Sequence, residues 1–379
     1  MGRRPGVARS SWPIATTDLV GLAGQLATAV ARVPFRRPWS GEGNLAHNMA
    51  VSLTRETIRS FMGYSSSLPI DEFRSVEMVL DDLCGVVLPP LVRSLDVALQ
   101  AASVAGVPGS WYRPKNGEVR GTILYLHGGG YVGTSPRMYA LFTAWLCRET
   151  RCEVFVADLR LAPEFPFPAD LEDAVLILEA LIIGGVDPGR LFVSGDSSGG
   201  GLATSLVYSM IRVRHRPLAG VILFSPEIDL LLDEPSVASN SSLDILPWNI
   251  PTSSYLHGRS AGDGSVSAID QDVSGWPPTF ISFGTDEMFR DAIRVFVAHL
   301  ETSGVDTTAL EEPGMFHVFP ILMPWADSSR KTYRAVGAFV AAHLPGADAV
   351  PDADAGVAAG TSVRPPPAPV VRPSTDGQL

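Results

Sequence analysis

From residue 97 onward, short apolar runs alternate with longer segments whose apolar residues recur every three or four positions. The runs are VALQAA (97–102), GSWYRP (109–114), TILYLHG (122–128), EVFVAD (153–158), RLFVSG (190–195), GVILFS (220–225), TFISFG (279–284) and TTALEE (307–312). Each is short, bounded by turn residues and of β-favouring composition, which predicts strands. The first two read as an antiparallel entry pair. Between the later runs lie MYALFTAWLCRET (138–150), DLEDAVLILEALII (170–183) and GLATSLVYSMIRVR (201–214), which have helical length and spacing. Strand alternating with helix predicts a mostly parallel central sheet flanked by helices, with ligand sites outside the carboxyl ends of the strands.

Residues 1–95 follow another pattern. NLAHNMAVSLTRETIRSFMGY (44–64) and EFRSVEMVLDDLCGVVLPPLVRSL (72–95) repeat apolar positions at helical spacing, with no strand signal between them. This stretch reads as an N-terminal helical cap over the strand-and-helix region at 96–345. Residues 346–379 are Ala-, Pro- and Asp-rich, include PPPAPVVRP and show no periodicity, which predicts a disordered tail. Residues 19–33 are apolar but too short to cross a bilayer, so the expectation is a packed or surface helix without firm membrane association.

The 379 residues are 46% hydrophobic and 18% charged, which suits a large buried core. A net charge of −11 argues against nucleic-acid partners, because phosphates repel an acidic surface. Three cysteines, Cys84, Cys147 and Cys152, form no metal cluster or disulfide framework. A lone Cys147–Cys152 bridge is the minor alternative, and the odd count points to a reducing, cytoplasmic setting.

The strand at 190–195 runs into Gly195-Asp196-Ser197-Ser198-Gly199-Gly200 and then into an apolar helix, the context in which G-x-S-x-G presents a nucleophilic serine on a tight turn. His127-Gly128-Gly129-Gly130-Tyr131 follows the strand at 122–126. Glycine amides there suit an oxyanion, with Gly128, Gly129 and Ser198 as the expected donors. No Lys-Ser/Thr follows the glycines, so a phosphate cradle is disfavoured. Of the seven histidines, only His317 lies in a loop after the last strand and before the C-terminal helix, where this chain order needs its base. His127 reads as structural, and His47, His215, His257, His299 and His343 as surface or capping residues. The acid orienting His317 should follow the strand at 279–284, where Asp286, Glu287 and Asp291 compete; Asp291 reads as part of the next helix.

Together these residues resemble the hormone-sensitive-lipase branch of the α/β-hydrolases over roughly residues 108–342. The resemblance rests on HGGGY (127–131), DLRLAPEFPFPA (158–169), GDSSGG (195–200), DEMFRD (286–291) and GMFHVF (314–319). It implies an α/β-hydrolase fold with Ser197 as nucleophile and His317 as base. Arg160 to Glu164 would be a structural turn supporting the oxyanion loop. The branch usually shows Asp-x-Leu-Arg-Asp with the first Asp catalytic; aligned on Phe289-Arg290-Asp291, that position holds Glu287, which is favoured over Asp286. The expected activity is hydrolysis of short or medium acyl esters, or acetyl esters, of a hydrophobic small molecule, with no metal or organic cofactor. An amidase, lactonase or natural-product deacetylase would use the same machinery. The gibberellin receptor resembles this branch without the catalytic histidine, so a non-catalytic receptor is the alternative from another class. The branch includes monomers and dimers, which leaves a homodimer open.

Overall fold

The computed structural model describes residues 7–36, 43–214, 218–247 and 252–345. The tail at 346–379 and His215 lie outside the described residues. Eight strands form one sheet: β1 (Val97–Val104), β2 (Val107–Pro114), β3 (Thr122–Leu126), β4 (Glu153–Ala157), β5 (Leu191–Asp196), β6 (Gly220–Phe224), β7 (Thr279–Gly284) and β8 (Thr307–Glu312). Their spatial order is β1-β2-β4-β3-β5-β6-β7-β8. The two pairs made by β2 are antiparallel and all others are parallel.

Every residue of β3, β5, β6 and β7 is buried, as expected for parallel strands covered on both faces. Alternation sorts their side chains. Leu124, Leu126, Val193 and Leu223 face one core, whereas Ile123, Tyr125, Phe192 and Ile222 face the other. Each fully buried large apolar side chain stabilises the fold by about 1.5–3 kcal/mol.

The helices are α1 (Trp12–Arg32), α2 (Leu45–Ser65), α3 (Ile70–Ser94), α4 (Ala140–Thr150), α5 (Ala169–Ile183), α6 (Ser197–Arg214), the short α7 (Pro235–Ser239) and α8 (Ser253–Leu256), α9 (Arg290–Thr302), the short α10 (Phe319–Leu322) and α11 (Asp327–Ala342). Helices α5, α6 and α9 supply residues to the first core, and α4 and α11 to the second. The described residues all fall in one compact unit. The N-terminal helices belong to the same unit, but α1 corrects the expectation for 19–33: the apolar helix begins at Trp12 and is, by length and composition alone, long enough to cross a membrane. Val51 and Ile58 of α2 rest on Ile245, Met315, Phe316 and Phe319.

The chain leaves β3 toward β4 on one side, then returns past β3 to form β5 on the other. The carboxyl ends of β3 and β5 are thus adjacent at the switch in strand order, where such sheets open a crevice. Cys147 and Cys152 are both free and buried, so the alternative Cys147–Cys152 bridge is not formed. Burial pushes both thiols up to about 12.

Candidate active site

Strand β5 ends at Asp196 and α6 starts at Ser197, so the turn between them is as short as a chain allows. Ser197 takes φ +51°, in the left-handed region that costs a non-glycine residue on the order of 1–3 kcal/mol. The flanking glycines make the turn passable. A Cβ on Gly195 would run into the Gly199 carbonyl, and one on Gly199 into the Leu126 and His127 carbonyls.

His317 Nε2 lies 2.8 Å from Ser197 Oγ. On its other side, His317 Nδ1 faces Glu287 Oε2 at 3.4 Å, longer than a tight hydrogen bond. Neither atom has another partner among the described residues. Glu287 Oε1 accepts bonds from Ser225 Oγ at 2.7 Å and from the Gly284 amide at 2.6 Å. With that oxygen occupied by two donors, a proton shared by the pair lies between Oε2 and Nδ1. Burial pushes Glu287 up to about 8, against the Ser225 and Gly284 bonds, and burial pushes His317 below its usual range, against nearby Asp244 and Asp196. The Phe289 ring stands edge-on to His317, with centroids 5.1 Å apart.

Asp286, the competing acid, turns away and pairs with Arg55 of α2 at 2.9 Å. Asp291 sits in the first turn of α9 and pairs with Arg290 at 2.8 Å. Of the three carboxylates, only Glu287 reaches His317.

In the glycine loop after β3, Gly128 is not the donor expected from the sequence. The Gly128 amide donates to Asp196 Oδ1 at 2.9 Å, so it is not free for an oxyanion. Glycine is still required there, because a Cβ would lie 2.5 Å from Asp196 Oδ2 and 3.0 Å from Ser197 Cβ. The Gly129 and Gly130 amides donate to no backbone acceptor among the described residues. Both residues have positive φ, +126° and +63°, and a Cβ on Gly130 would point into open space. The Ser198 amide lies in the first turn of α6, where N–H groups lack intrahelical acceptors. The donor set compatible with this geometry is therefore Gly129, Gly130 and Ser198. His127 braces the loop: its Nδ1 lies 2.9 Å from both Gly128 O and Thr134 Oγ1.

Two buried aspartates escaped the sequence reading. Asp196 accepts from Tyr125 Oη at 2.7 Å, Tyr139 Oη at 2.8 Å and the Gly128 amide, tying the nucleophile turn to the oxyanion loop. Asp244 accepts from the amides of Met288 at 2.7 Å and His317 at 2.9 Å, so one carboxylate clamps the acid loop to the base loop. For Asp196, its place inside the GDSSGG motif was a usable signal; for Asp244, nothing marked its long-range role. Asp229, Asp233 and Glu234 bring carboxylate oxygens within 4.8 Å of one another, the one metal-type grouping among the described residues. It shares no residue with the Ser197 site.

Residues 123–321 match the model of a family described as having the alpha/beta hydrolase fold. An acetyl-hydrolase of Streptomyces hygroscopicus is 32% identical over 63% of this chain and 81% of its own length. An esterase of Acinetobacter venetianus is 27% identical over 69% of this chain and 86% of its own. Among solved structures, an esterase from the bacterial hormone-sensitive lipase family matches with a TM-score of 0.67 and 27% identity, over 76% of this chain and 97% of that one. EstE5, in a crystal soaked with p-nitrophenyl butyrate, matches with a TM-score of 0.62 and 28% identity, over 70% of this chain and 97% of that one.

Proposed function

Because this chain belongs to the hormone-sensitive-lipase branch of the α/β-hydrolase superfamily and is a carboxylesterase-type hydrolase, we propose that it cleaves esters through an acyl-serine at Ser197. The observation that carries this reading is the 2.8 Å contact between His317 Nε2 and Ser197 Oγ on a strained, glycine-walled turn. His317 takes the hydroxyl proton as Ser197 attacks the ester carbonyl. The negative charge that develops on the carbonyl oxygen meets the amides of Gly129, Gly130 and Ser198. Glu287 holds the imidazole and stabilises its cation. His317 then gives the proton to the leaving alcohol, and a water activated by the same imidazole releases the acid. No step calls for a metal or an organic cofactor.

The substrate class we propose is a short or medium acyl ester, acetyl included, of an uncharged hydrophobic alcohol. Ser197 is only 8% exposed, and apolar residues of α2 pack on the loop that carries His317. The acetyl-hydrolase relative supports a small acyl group. An amide or lactone would engage the same atoms and is the second reading within enzymes. The receptor reading is disfavoured by a histidine in bonding contact with the serine. Free thiols at Cys84, Cys147 and Cys152 suit a reducing, cytoplasmic setting.

The test is turnover of p-nitrophenyl esters from acetyl to dodecanoyl by the wild type, Ser197→Ala, Glu287→Gln and Asp286→Asn. We expect rates that fall with acyl length and vanish in Ser197→Ala. Glu287→Gln should lose about a thousandfold or more in kcat, and Asp286→Asn only a few-fold. Wild-type inactivity on every ester, with no labelling by a serine-directed phosphonate, would overturn the proposal.

A further inference from the structure

The oxyanion loop is an unusual piece of backbone. Gly129, Gly130, Tyr131 and Thr134 all lie at positive φ, between +63° and +126°. Such a segment has little helical or sheet hydrogen bonding of its own and keeps its shape only if its surroundings impose it. The structure supplies that restraint from the N-terminal region. Arg74 of α3, with its side chain 3% exposed, reaches between the loop and the turn at 160–164. Its Nη1 donates to the Val132 carbonyl, two residues beyond Gly130, and its Nη2 donates to the Ala162 carbonyl at 2.8 Å. Ala162 in turn donates its amide to the Tyr131 carbonyl at 3.0 Å. Arg74 is itself aimed by a forked pair with Glu164, at 3.0 and 2.7 Å, and by Glu77 at 3.0 Å.

The rest of α3 follows the same loop. A Cβ on Gly133 would lie 2.8 Å from the Phe73 ring, and Asp81 bonds Ser135 Oγ and pairs with Arg137 at 2.9 Å. The helix therefore touches the chain from Val132 to Arg137, directly downstream of Gly129 and Gly130, whose two amides must keep one orientation.

We propose that Arg74 is a positioning residue that fixes the oxyanion loop, making α3 part of the catalytic apparatus rather than only a roof. The proposal rests on the esterase reading above. It follows that loosening Arg74 displaces donors needed in the transition state while leaving ground-state binding nearly intact. Loss of one oxyanion donor costs about 100–1,000-fold in kcat, and partial misplacement should cost less. Lysine cannot replace the guanidinium, because a point charge cannot fork Glu164 and also reach two carbonyls.

The experiment measures kcat and KM on p-nitrophenyl acetate, the inhibition constant of a trifluoromethyl ketone and the melting temperature, for the wild type, Arg74→Lys and Glu164→Gln. The ketone forms a tetrahedral oxyanion on the serine, so it reads the hole directly. We expect kcat to fall about 10- to 100-fold in Arg74→Lys, with KM within about twofold, and ketone affinity to fall in step with kcat/KM. Glu164→Gln should show the same pattern, more weakly. If both variants are folded at the assay temperature and keep wild-type kcat and ketone affinity, or lose activity through KM alone, the proposal is overturned. If Arg74→Lys fails to fold, Glu164→Gln and Asp81→Asn, altered at partly exposed carboxylates, make the same comparison. A wild type without turnover overturns the esterase reading and this proposal with it; an active wild type with unmoved variants overturns this proposal alone.

Discussion

Asp286 and Glu287 are chain neighbours that differ by one methylene, yet the turn after β7 sends them to opposite environments. Asp286 remains partly exposed against Arg55, whereas Glu287 is fully buried against His317. Desolvation disfavours the charged forms of both partners, lifting the carboxyl and lowering the imidazole. His317 should therefore hold its proton only at pH below its ordinary 6.5, and kcat/KM should reach its plateau as that proton leaves. A pH–rate profile with no ascending limb would contradict His317 as the base, whereas a midpoint near about 8 would report ionisation of its partner Glu287. Asp244 gives a second test at this scale. Asp244→Ala strands the Met288 and His317 amides, each bond to the carboxylate being worth about 1.5–3 kcal/mol. Melting temperature and kcat should both fall, while Asp244→Asn, which keeps an acceptor oxygen, should lose less of each. The convergence of Ser197, His317 and Glu287 was legible because motif order confines them to three loops. The role of Asp244 was not, since its partners lie 44 and 73 residues away.

Elements were easier to read than contacts, because burial on both faces gives the interior parallel strands mostly apolar runs. The runs at 122–128, 190–195 and 279–284 became β3, β5 and β7 nearly residue for residue. Helix α6 begins at Ser197, four residues before the expected 201, because the tight turn forces Ser198, Gly199 and Gly200 into the helix despite the poor propensity of glycine. Gly128 was misassigned for a related reason: which amide of a glycine run faces the substrate depends on Asp196, which comes from another strand. The glycines themselves make a testable contrast. Gly195→Ala should abolish soluble folded protein, since its Cβ meets the backbone of Gly199 in the adjoining turn. Gly130→Ala meets nothing and carries only left-handed strain, about 1–2 kcal/mol, so it should fold with a modestly lowered melting temperature. Circular dichroism melts of the two variants decide this.

At the scale of the whole molecule, pH acts on stability through carboxyls that folding buries without charged partners. Glu227 follows β6, donates its amide to the Ser197 carbonyl at 2.9 Å, and has no partner for its Oε1 among the described residues. Burial alone pushes its carboxyl up to about 8, and burial likewise pushes Asp170 up to about 7. The folded protein thus keeps a proton at Glu227 that the unfolded chain releases near its ordinary 4.5. The resulting stability is fully present below 4.5 and is lost as pH rises through about 8. His317 has the opposite sign, because its lowered value makes stability fall as pH drops below 6.5, so wild-type curves alone mix the two effects. Glu227→Gln separates them, since the amide keeps size and polarity but never ionises. Melting temperatures of the two proteins should converge near about pH 5, and by about pH 8.5 the variant should melt several degrees higher. Parallel curves across that window would mean that Glu227 stays ionised in the fold and that a charge, rather than a neutral acid, sits behind the nucleophile.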